Sequence, residues 1–169
     1  MSDENIIENK VAKSGLITLD LEEFYTPGIR TQIDLKNNLF RGLILKEKDF
    51  REFVKETDWS QYKDHFVAVF CSVDAVIPTW AYMLIASRLQ PYAKRIIFGN
   101  LEALENVLYL EKLSQINPED YSNSRLIIKG CGNLPVPPGA YLEITRILSP
   151  FVKSLMFGEP CSTVPVLKN

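Results

Sequence analysis

The sequence predicts one α/β domain, made of duplicated βαβ units that form a mainly parallel sheet flanked by helices, with an N-terminal β-hairpin region. Its 169 residues are 46% apolar, which is enough for one hydrophobic core. From residue 66 onward, short apolar runs alternate with helical segments of about a dozen residues, the pattern typical of βα units. Part of that pattern is repeated along the chain, and this repeat is the strongest evidence for the βαβ units.

The N-terminal part is less regular than the rest. Residues 1–12 are polar and acidic and are predicted to be disordered, so that the single domain covers residues 13–169. Residues 15–21 alternate apolar and polar side chains as a half-buried edge strand does.

A hairpin and a surface helix should follow. Two apolar runs within residues 33–45 flank Asn37 and Asn38, and asparagine tolerates the positive φ that tight hairpin turns need. Phe50 and Val54 have helical spacing among charged residues, which predicts a surface helix over residues 46–57.

The βα region should contain four strands and three helices. The predicted strands cover residues 66–71, 95–98, 125–129 and 154–157, the predicted helices cover residues 78–89, 101–114 and 138–148, and residues 158–169 are predicted to be a loop.

Residues 78–99 match residues 137–158 without a gap. Nine of the 22 paired positions are identical, where average usage would give roughly one or two. Extended back to the preceding strands, the match makes residues 66–99 and 125–158 two copies of one βαβ unit. Such units are right-handed and parallel, so the last four strands should run in one direction within one sheet.

Charge and cysteine usage disfavour several functional classes. The net charge is −2, from 19 basic and 21 acidic side chains, and no basic run would bind a nucleic-acid backbone. Neither a secretory signal nor a membrane-spanning apolar stretch is evident, so a cytoplasmic location and no membrane partner are expected. Three cysteines without a CxxC pair disfavour a disulfide framework or a zinc finger.

The three cysteines follow predicted strands closely. Cys71 and Cys131 come at equivalent places in the two copies, and Cys161 follows the last strand. Because the carboxyl ends of parallel strands meet at one edge of a sheet, the sulfur atoms should lie close together, with Asp74 or Glu159 as the nearest carboxylate. Thiolates are preferred ligands of zinc and of iron–sulfur clusters. The predicted metal ligands are therefore Cys71, Cys131, Cys161 and Asp74.

Two other interpretations of the cysteines stay open. They could be reactive thiols without a metal, or small apolar residues that pack in the core. His65 precedes the strand that Cys71 ends, about 20 Å away at the rise of a strand, and is excluded as a ligand.

Aromatic and basic residues complete the set of candidates. Trp80, Tyr82 and Tyr141 begin the repeated helices and could form the wall of a pocket at this edge, although such aromatics are more often core residues. Lys94 and Lys153 begin strands at the opposite edge and are interpreted as solvated charges. No glycine-rich phosphate-binding motif is present.

Residues 70–83 and 158–165 resemble those of a family of uncharacterised Bacteroidetes proteins, domain of unknown function 2480. The resemblance covers nearly the whole chain after the polar N-terminus. It transfers no activity and implies a small cytoplasmic bacterial protein.

Two functional classes stay open at this point. One is an enzyme or redox protein with a cysteine-ligated zinc or iron–sulfur cluster, and the other is a non-catalytic domain that binds a small molecule or a protein. The sequence leaves enzymatic activity and the oligomeric state undetermined.

Overall fold

A computed structural model describes residues 16–169 of the chain, so the predicted disordered segment 1–12 lies outside the described residues. The described chain divides into two compact units. The central unit comprises residues 26–108, and the terminal unit comprises residues 16–25 and 109–169. The assignment of residues 13–169 to one domain stays a prediction.

The described residues form nine strands, four α-helices and four short 3₁₀ helices. The strands are β1 (Leu16–Asp20), β2 (Arg30–Asp34), β3 (Leu39–Phe40), β4 (Ile44–Leu45), β5 (Phe66–Phe70), β6 (Arg95–Phe98), β7 (Arg125–Lys129), β8 (Ser154–Glu159) and β9 (Ser162–Lys168). The α-helices are α1 (Glu47–Glu56), α2 (Thr79–Leu89), α3 (Leu101–Leu113) and α4 (Pro138–Leu148). The 3₁₀ helices are η1 (Leu21–Phe24), η2 (Leu35–Asn38), η3 (Trp59–Tyr62) and η4 (Pro118–Tyr121).

The predicted α/β class and its parallel βαβ units are confirmed, but the strands lie in two main sheets rather than one. The central unit has the all-parallel order β2-β5-β6, and the terminal unit has the order β1-β7-β8-β9, in which only β9 is antiparallel to its neighbour. The expectation that β5, β6, β7 and β8 share one sheet is wrong. Each copy pairs its first strand with an N-terminal strand instead, β5 with β2 and β7 with β1.

The N-terminal hairpin region exists, although its turn is not at Asn37 and Asn38. Those residues end η2, which starts because the Asp34 side chain accepts a hydrogen bond from the backbone N–H of Lys36. The hairpin joins β3 to β4 instead, and Arg41 and Gly42 in its turn have φ of 50° and 71°. Positive φ at both central residues is what a tight type I′ hairpin turn requires.

The C-terminal segment, predicted to be a loop, forms strand β9. Its Pro165 argued against a strand because proline cannot donate to a hydrogen-bonded ladder. β9 is the edge strand of its sheet, and its pairing with β8 is irregular between Leu155 and Met156, next to the partner of that proline. An edge position with an irregular register tolerates proline, which explains the wrong prediction.

The predicted repeat is visible in the structure. Helices α2 and α4 begin and end 59 residues apart, and so do η3 and η4, and β5 and β7. Both copies have a non-glycine residue of positive φ before the first strand, Asp64 and Asn123, at the same offset.

The repeat also includes elements that the sequence comparison missed. β1 with η1 corresponds to β2 with η2, 14 residues later. In each case an aspartate, Asp20 or Asp34, ends the strand and caps the 3₁₀ helix, and a fully buried leucine follows it. Each unit is therefore a strand and 3₁₀ helix placed beside a βαβ copy.

Alternate residues of a strand face opposite sides of the sheet and pack against different helices. In the central unit, Val67 and Val69 belong to the core that contains α1 and α2, whereas Phe66 and Ala68 pack with residues of α3. In the terminal unit, Leu126 and Ile128 share one core with the buried residues of α4. These layers place the ends of the parallel strands beside the N-termini of the following helices, where open α/β sheets bind ligands.

Candidate functional site

In each unit one of the cavities is bounded by the loop that leaves the first strand of the βαβ copy. The cavity of the terminal unit, here the Cys131 cavity, has a volume of about 710 Å³. It is lined mainly by apolar side chains, among them Ile128, Leu142, Leu155, Phe157 and Val166, together with Cys131, Tyr141 and Thr145. The cavity of the central unit, here the Cys71 cavity, has a volume of about 460 Å³ and is more polar, because Asp74 and Asn100 line it.

An aromatic pair forms an equivalent wall in both cavities. Tyr82 meets Phe98 edge-on at 5.2 Å in the central unit, and Tyr141 meets Phe157 at 5.8 Å in the terminal unit. Tyr141 and Phe157 come 59 residues after Tyr82 and Phe98, respectively, and each pair lines the cavity of its own unit. The possibility that Tyr82 and Tyr141 wall a pocket is therefore realised, whereas Trp80 packs against Phe50 in the core.

Two glycines allow the close packing around Cys131. A β-carbon on Gly130 would lie 2.6 Å from the Tyr141 hydroxyl oxygen, and a β-carbon on Gly132 would meet the Glu22 carboxylate. The Gly-Cys-Gly sequence, too short for a dinucleotide-binding motif, therefore lets a tyrosine and a glutamate approach the backbone on either side of the cysteine.

The Glu22 carboxylate holds the Cys131 loop through backbone donors. It accepts hydrogen bonds from the N–H groups of Gly132, Asn133 and Leu134, the last two at 3.1 and 3.2 Å. Successive N–H groups that converge on one anion form a nest, which is a favourable site for negative charge. Here the chain supplies the anion itself, from η1.

Tyr141 is held in its neutral form. Burial raises its pKa, and the neighbouring Cys131 thiol adds to this effect through charge and a hydrogen bond, so the pKa reaches about 12. The hydroxyl therefore remains protonated at neutral pH and can donate a hydrogen bond.

A lysine lies beside carboxylates at the carboxyl end of β7. The Lys129 ammonium is 3.2 Å from Asp20 and 3.8 Å from Glu159. Its hydrogen bond with Asp20 and the charge of Glu159 raise the pKa of Lys129, so it remains positively charged. One positive charge therefore lies between two carboxylates at the carboxyl edge of this sheet.

In the central unit the equivalent of Asp20 is Asp34, at the end of β2. Asp34 accepts hydrogen bonds from the backbone N–H groups of Lys36 and Ser72, both at 3.0 Å. Burial raises its pKa, but the hydrogen bonds from the Ser72 side chain and from the two N–H groups, together with the charge of Lys36, lower it below the ordinary value.

An Asp34→Asn variant should differ from the native chain in a pH-dependent way. Because the pKa of Asp34 is lowered on folding, its charge stabilises the native state above the unfolded pKa of about 4, and this contribution is lost as the pH falls further. The Asp34 side chain is 15% exposed and its partner Lys36 is 51% exposed, so solvent screens the charge in part and the effect should stay below about 1 kcal/mol. Urea unfolding at pH 7 and pH 3 measures it, and an equal difference at both pH values would contradict the prediction.

The predicted metal ligands lie in different units. Cys71 and Asp74 both line the Cys71 cavity of the central unit, where the Cys71 thiol donates to the Val73 carbonyl at 3.5 Å. Cys131 and Cys161 belong to the terminal unit, and both are exposed. Among residues 16–169, no three side chains of histidine, cysteine, aspartate or glutamate are grouped so that they could hold a metal ion. The structure therefore gives the cysteine metal site no support, and the ligand assignment stays a prediction.

The remaining candidates have contacts of other kinds. The His65 ring lies 2.9 Å from the Thr31 hydroxyl and edge-on to Tyr62, at the amino end of β5. Lys94 and Lys153 immediately precede β6 and β8, and their N–H groups donate to the carbonyls of His65 and Ser124.

The residues that sequence reasoning missed are Asp20, Glu22, Asp34 and Lys129. The only signal was the Asp-Leu pair that recurs at positions 20–21 and 34–35. When the two segments are aligned at an offset of 14 residues, only this pair is identical, and two matches are too few to stand out from chance.

Comparison with known proteins identifies the family. The family model described as "Protein of unknown function (DUF2480)" matches residues 5–169, so the chain belongs to this family. Neither the curated proteins nor the solved structures contain a significant match. Within the described residues, no helix has both the length and the apolar character needed to cross a membrane.

Proposed function

We propose that this member of the DUF2480 family is a small-molecule-binding protein whose ligand occupies the Cys131 cavity. The observation that carries the proposal is the cavity itself, about 710 Å³ of mainly apolar lining with a thiol and a hydroxyl at its polar end. Ligand sites typically have about 300–1,000 Å³, apolar walls and a few polar groups that orient the ligand. A residue of perturbed pKa in such a cavity, here Tyr141, adds to the case.

The lining favours an uncharged, largely apolar ligand with one hydrogen-bond acceptor. No Asp, Glu, Lys or Arg side chain is among the described residues that line the Cys131 cavity. Burying an unpaired charge there would be costly. The neutral Tyr141 hydroxyl can donate to a carbonyl or ether oxygen, and Phe157 offers an aromatic face.

The expectations about source organism, cellular location, partners and cofactor stay predictions. A bacterial source rests on the family resemblance, a cytoplasmic location rests on the lack of a signal or spanning stretch in the sequence, and the exclusion of nucleic-acid partners rests on the charge. A zinc or iron–sulfur cofactor has no supporting observation among the described residues, and elemental analysis of the purified protein would test it.

Filling the cavity should weaken binding of an apolar probe. The neutral fluorophore N-phenyl-1-naphthylamine should bind the native chain, and Thr145→Phe should weaken this binding at least about tenfold because the new ring occupies the cavity. Fluorescence titration measures it. Ala86→Phe is the matched control, because Ala86 is the repeat equivalent of Thr145 on α2 and does not line the Cys71 cavity.

The hydrogen bond proposed for the Tyr141 hydroxyl can be tested by comparing two ligands in the same titration. Tyr141→Phe should weaken binding of 1-acetylnaphthalene, which has an acceptor, by roughly 2- to 10-fold, and should leave naphthalene binding unchanged. A folded Thr145→Phe variant that binds the fluorophore as well as the native chain would contradict the proposed site.

A further inference from the structure

We propose that the outer edge of β6 is an interface between two copies of this chain, formed by antiparallel pairing of β6 with β6 of a second copy. This interface is independent of the ligand proposed for the Cys131 cavity. It rests on a difference between the two repeat copies.

The terminal unit shows what covers this edge. β8, the repeat equivalent of β6, has β9 paired antiparallel along its outer side, with Phe157 opposite Val164. β6 is the last strand of its sheet, and within residues 16–169 no strand pairs with its outer side. An open strand edge offers unpaired N–H and C=O groups to another strand.

The side chains beside the open edge are correspondingly exposed. Phe98 is 74% exposed, whereas its equivalent Phe157, beside β9, is 37% exposed. Val166 of β9 lines the Cys131 cavity together with Leu142 and Phe157. The equivalents of those two residues are Met83 and Phe98. Leu142 and Met83 are similarly exposed, at 76% and 72%, so the phenylalanine is the side chain whose exposure differs between the copies. Phe98 of the central unit therefore lies at a strand edge that lacks the partner that β9 provides in the terminal unit.

The backbone of β6 has the right donors and acceptors on its outer side. The Gly99 N–H donates to the Val69 carbonyl of β5 at 3.0 Å, so it points inward. Because successive residues of a strand point their N–H and C=O groups to opposite sides, those of Ile96 and Phe98 point outward. The Ile96 carbonyl accepts a hydrogen bond from its neighbour Arg95 at 3.3 Å, which fits this orientation.

β6 is complementary to itself. A two-fold axis beside Ile97 places Ile96 opposite Phe98 of the second copy, and Phe98 opposite its Ile96. Both are hydrogen-bonded pairs, so four backbone hydrogen bonds form. Each pair joins a β-branched residue to an aromatic one, a favourable cross-strand combination. The result is an isologous interface, the commonest kind in homodimers.

Charges at the ends of β6 favour the same pairing. In this register Arg95 lies opposite Gly99 of the second copy, close to the start of its α3. That first turn carries the acidic Glu102. The two-fold symmetry therefore brings Arg95 of each copy near Glu102 of the other, so opposite charges approach at both ends of the interface. A second copy supplies both the apolar cross-strand partners and the carboxylate, whereas an acidic peptide supplies only the charge and an unrelated apolar segment supplies only the apolar partners.

Light scattering after gel filtration tests the interface. The native protein should have twice the chain mass of 19.3 kDa, and Phe98→Lys should have the mass of one chain, because lysine on an edge strand opposes pairing. Leu43→Lys is the control, since Leu43 is 64% exposed in the β3–β4 turn and should leave the dimer intact. A native monomer, or a Phe98→Lys variant that remains a dimer, would overturn the proposal.

Amide exchange of the native protein provides a test that needs no variant. The N–H groups of Ile96 and Phe98 should exchange slowly in the dimer and at least about tenfold faster after dilution to the monomer, whereas the inward Ile97 N–H should change little. Equal behaviour of the three groups would rule out pairing through β6.

Discussion

Replacement of Gly158 by alanine is expected to lower the free energy of unfolding by about 3 kcal/mol. Gly158 has φ of +121°, where L-residues are strained by about 1–3 kcal/mol. A β-carbon there would also lie 2.5 Å from the Ser162 carbonyl oxygen, so the backbone of β9 must move. Urea unfolding measures the loss, and detachment of β9 should open the Cys131 cavity and weaken binding of the apolar probe.

Gly42→Ala is the matched control for backbone strain alone. Gly42 also has positive φ, +71°, but nothing lies within 4 Å of the position of a β-carbon. Its replacement should therefore cost about 1 kcal/mol, the strain of a left-handed alanine. If Gly158→Ala cost no more than Gly42→Ala, the close approach of β9 would have no energetic importance.

The repeat made most of the fold predictable. Identities such as Pro78 with Pro137 and Gly99 with Gly158 lie at positions where local geometry is demanding, before a helix or at positive φ. Such positions retain their residues in both copies, so the βαβ units could be recognised and placed from the sequence. The predicted helices and parallel strand pairs of residues 66–158 are accordingly present.

The pairing of the copies with other strands was not predictable in the same way. A sequence match shows what a copy contains, not which strand lies beside it. β1 and β2 are identified as partners of β7 and β5 by their hydrogen-bonded register. Strand pairing between segments far apart in the chain is a property of the folded state, so the division into two sheets could not be derived from the sequence.

The same division affects the site. Cys71 and Cys131 do follow β5 and β7, as the sequence predicts, but the inference that they converge depended on a single sheet. What the sequence could not indicate is the Cys131 cavity, because its lining includes Val166, in a strand that Pro165 made improbable. Aromatic residues at the start of the repeated helices were the one usable sign of a pocket.

Replacement of Glu22 by alanine is expected to cost about 2 kcal/mol of stability, through the loop that bears Cys131. Three backbone N–H groups lose a charged acceptor, and a hydrogen bond to a charged group contributes about 1.5–3 kcal/mol. Solvent can replace part of this loss, because Gly132, Asn133 and Leu134 are exposed. Glu23→Ala, an exposed neighbour in η1, is the control and should change stability by less than about 0.5 kcal/mol.

Loss of Glu22 should increase amide exchange within the loop, in addition to lowering the free energy of unfolding. Without the carboxylate, the N–H groups of Gly132, Asn133 and Leu134 should exchange faster than those of the β7 core, because the nest no longer has its anion. Glu22→Gln keeps one acceptor oxygen and should lie between the native chain and the alanine variant. Since Cys131 directly precedes the nest and lines the cavity, binding of the apolar probe should weaken in the same order. Unchanged exchange in Glu22→Ala would mean that the loop holds its shape without the carboxylate, and that the Gly-Cys-Gly backbone alone positions Cys131.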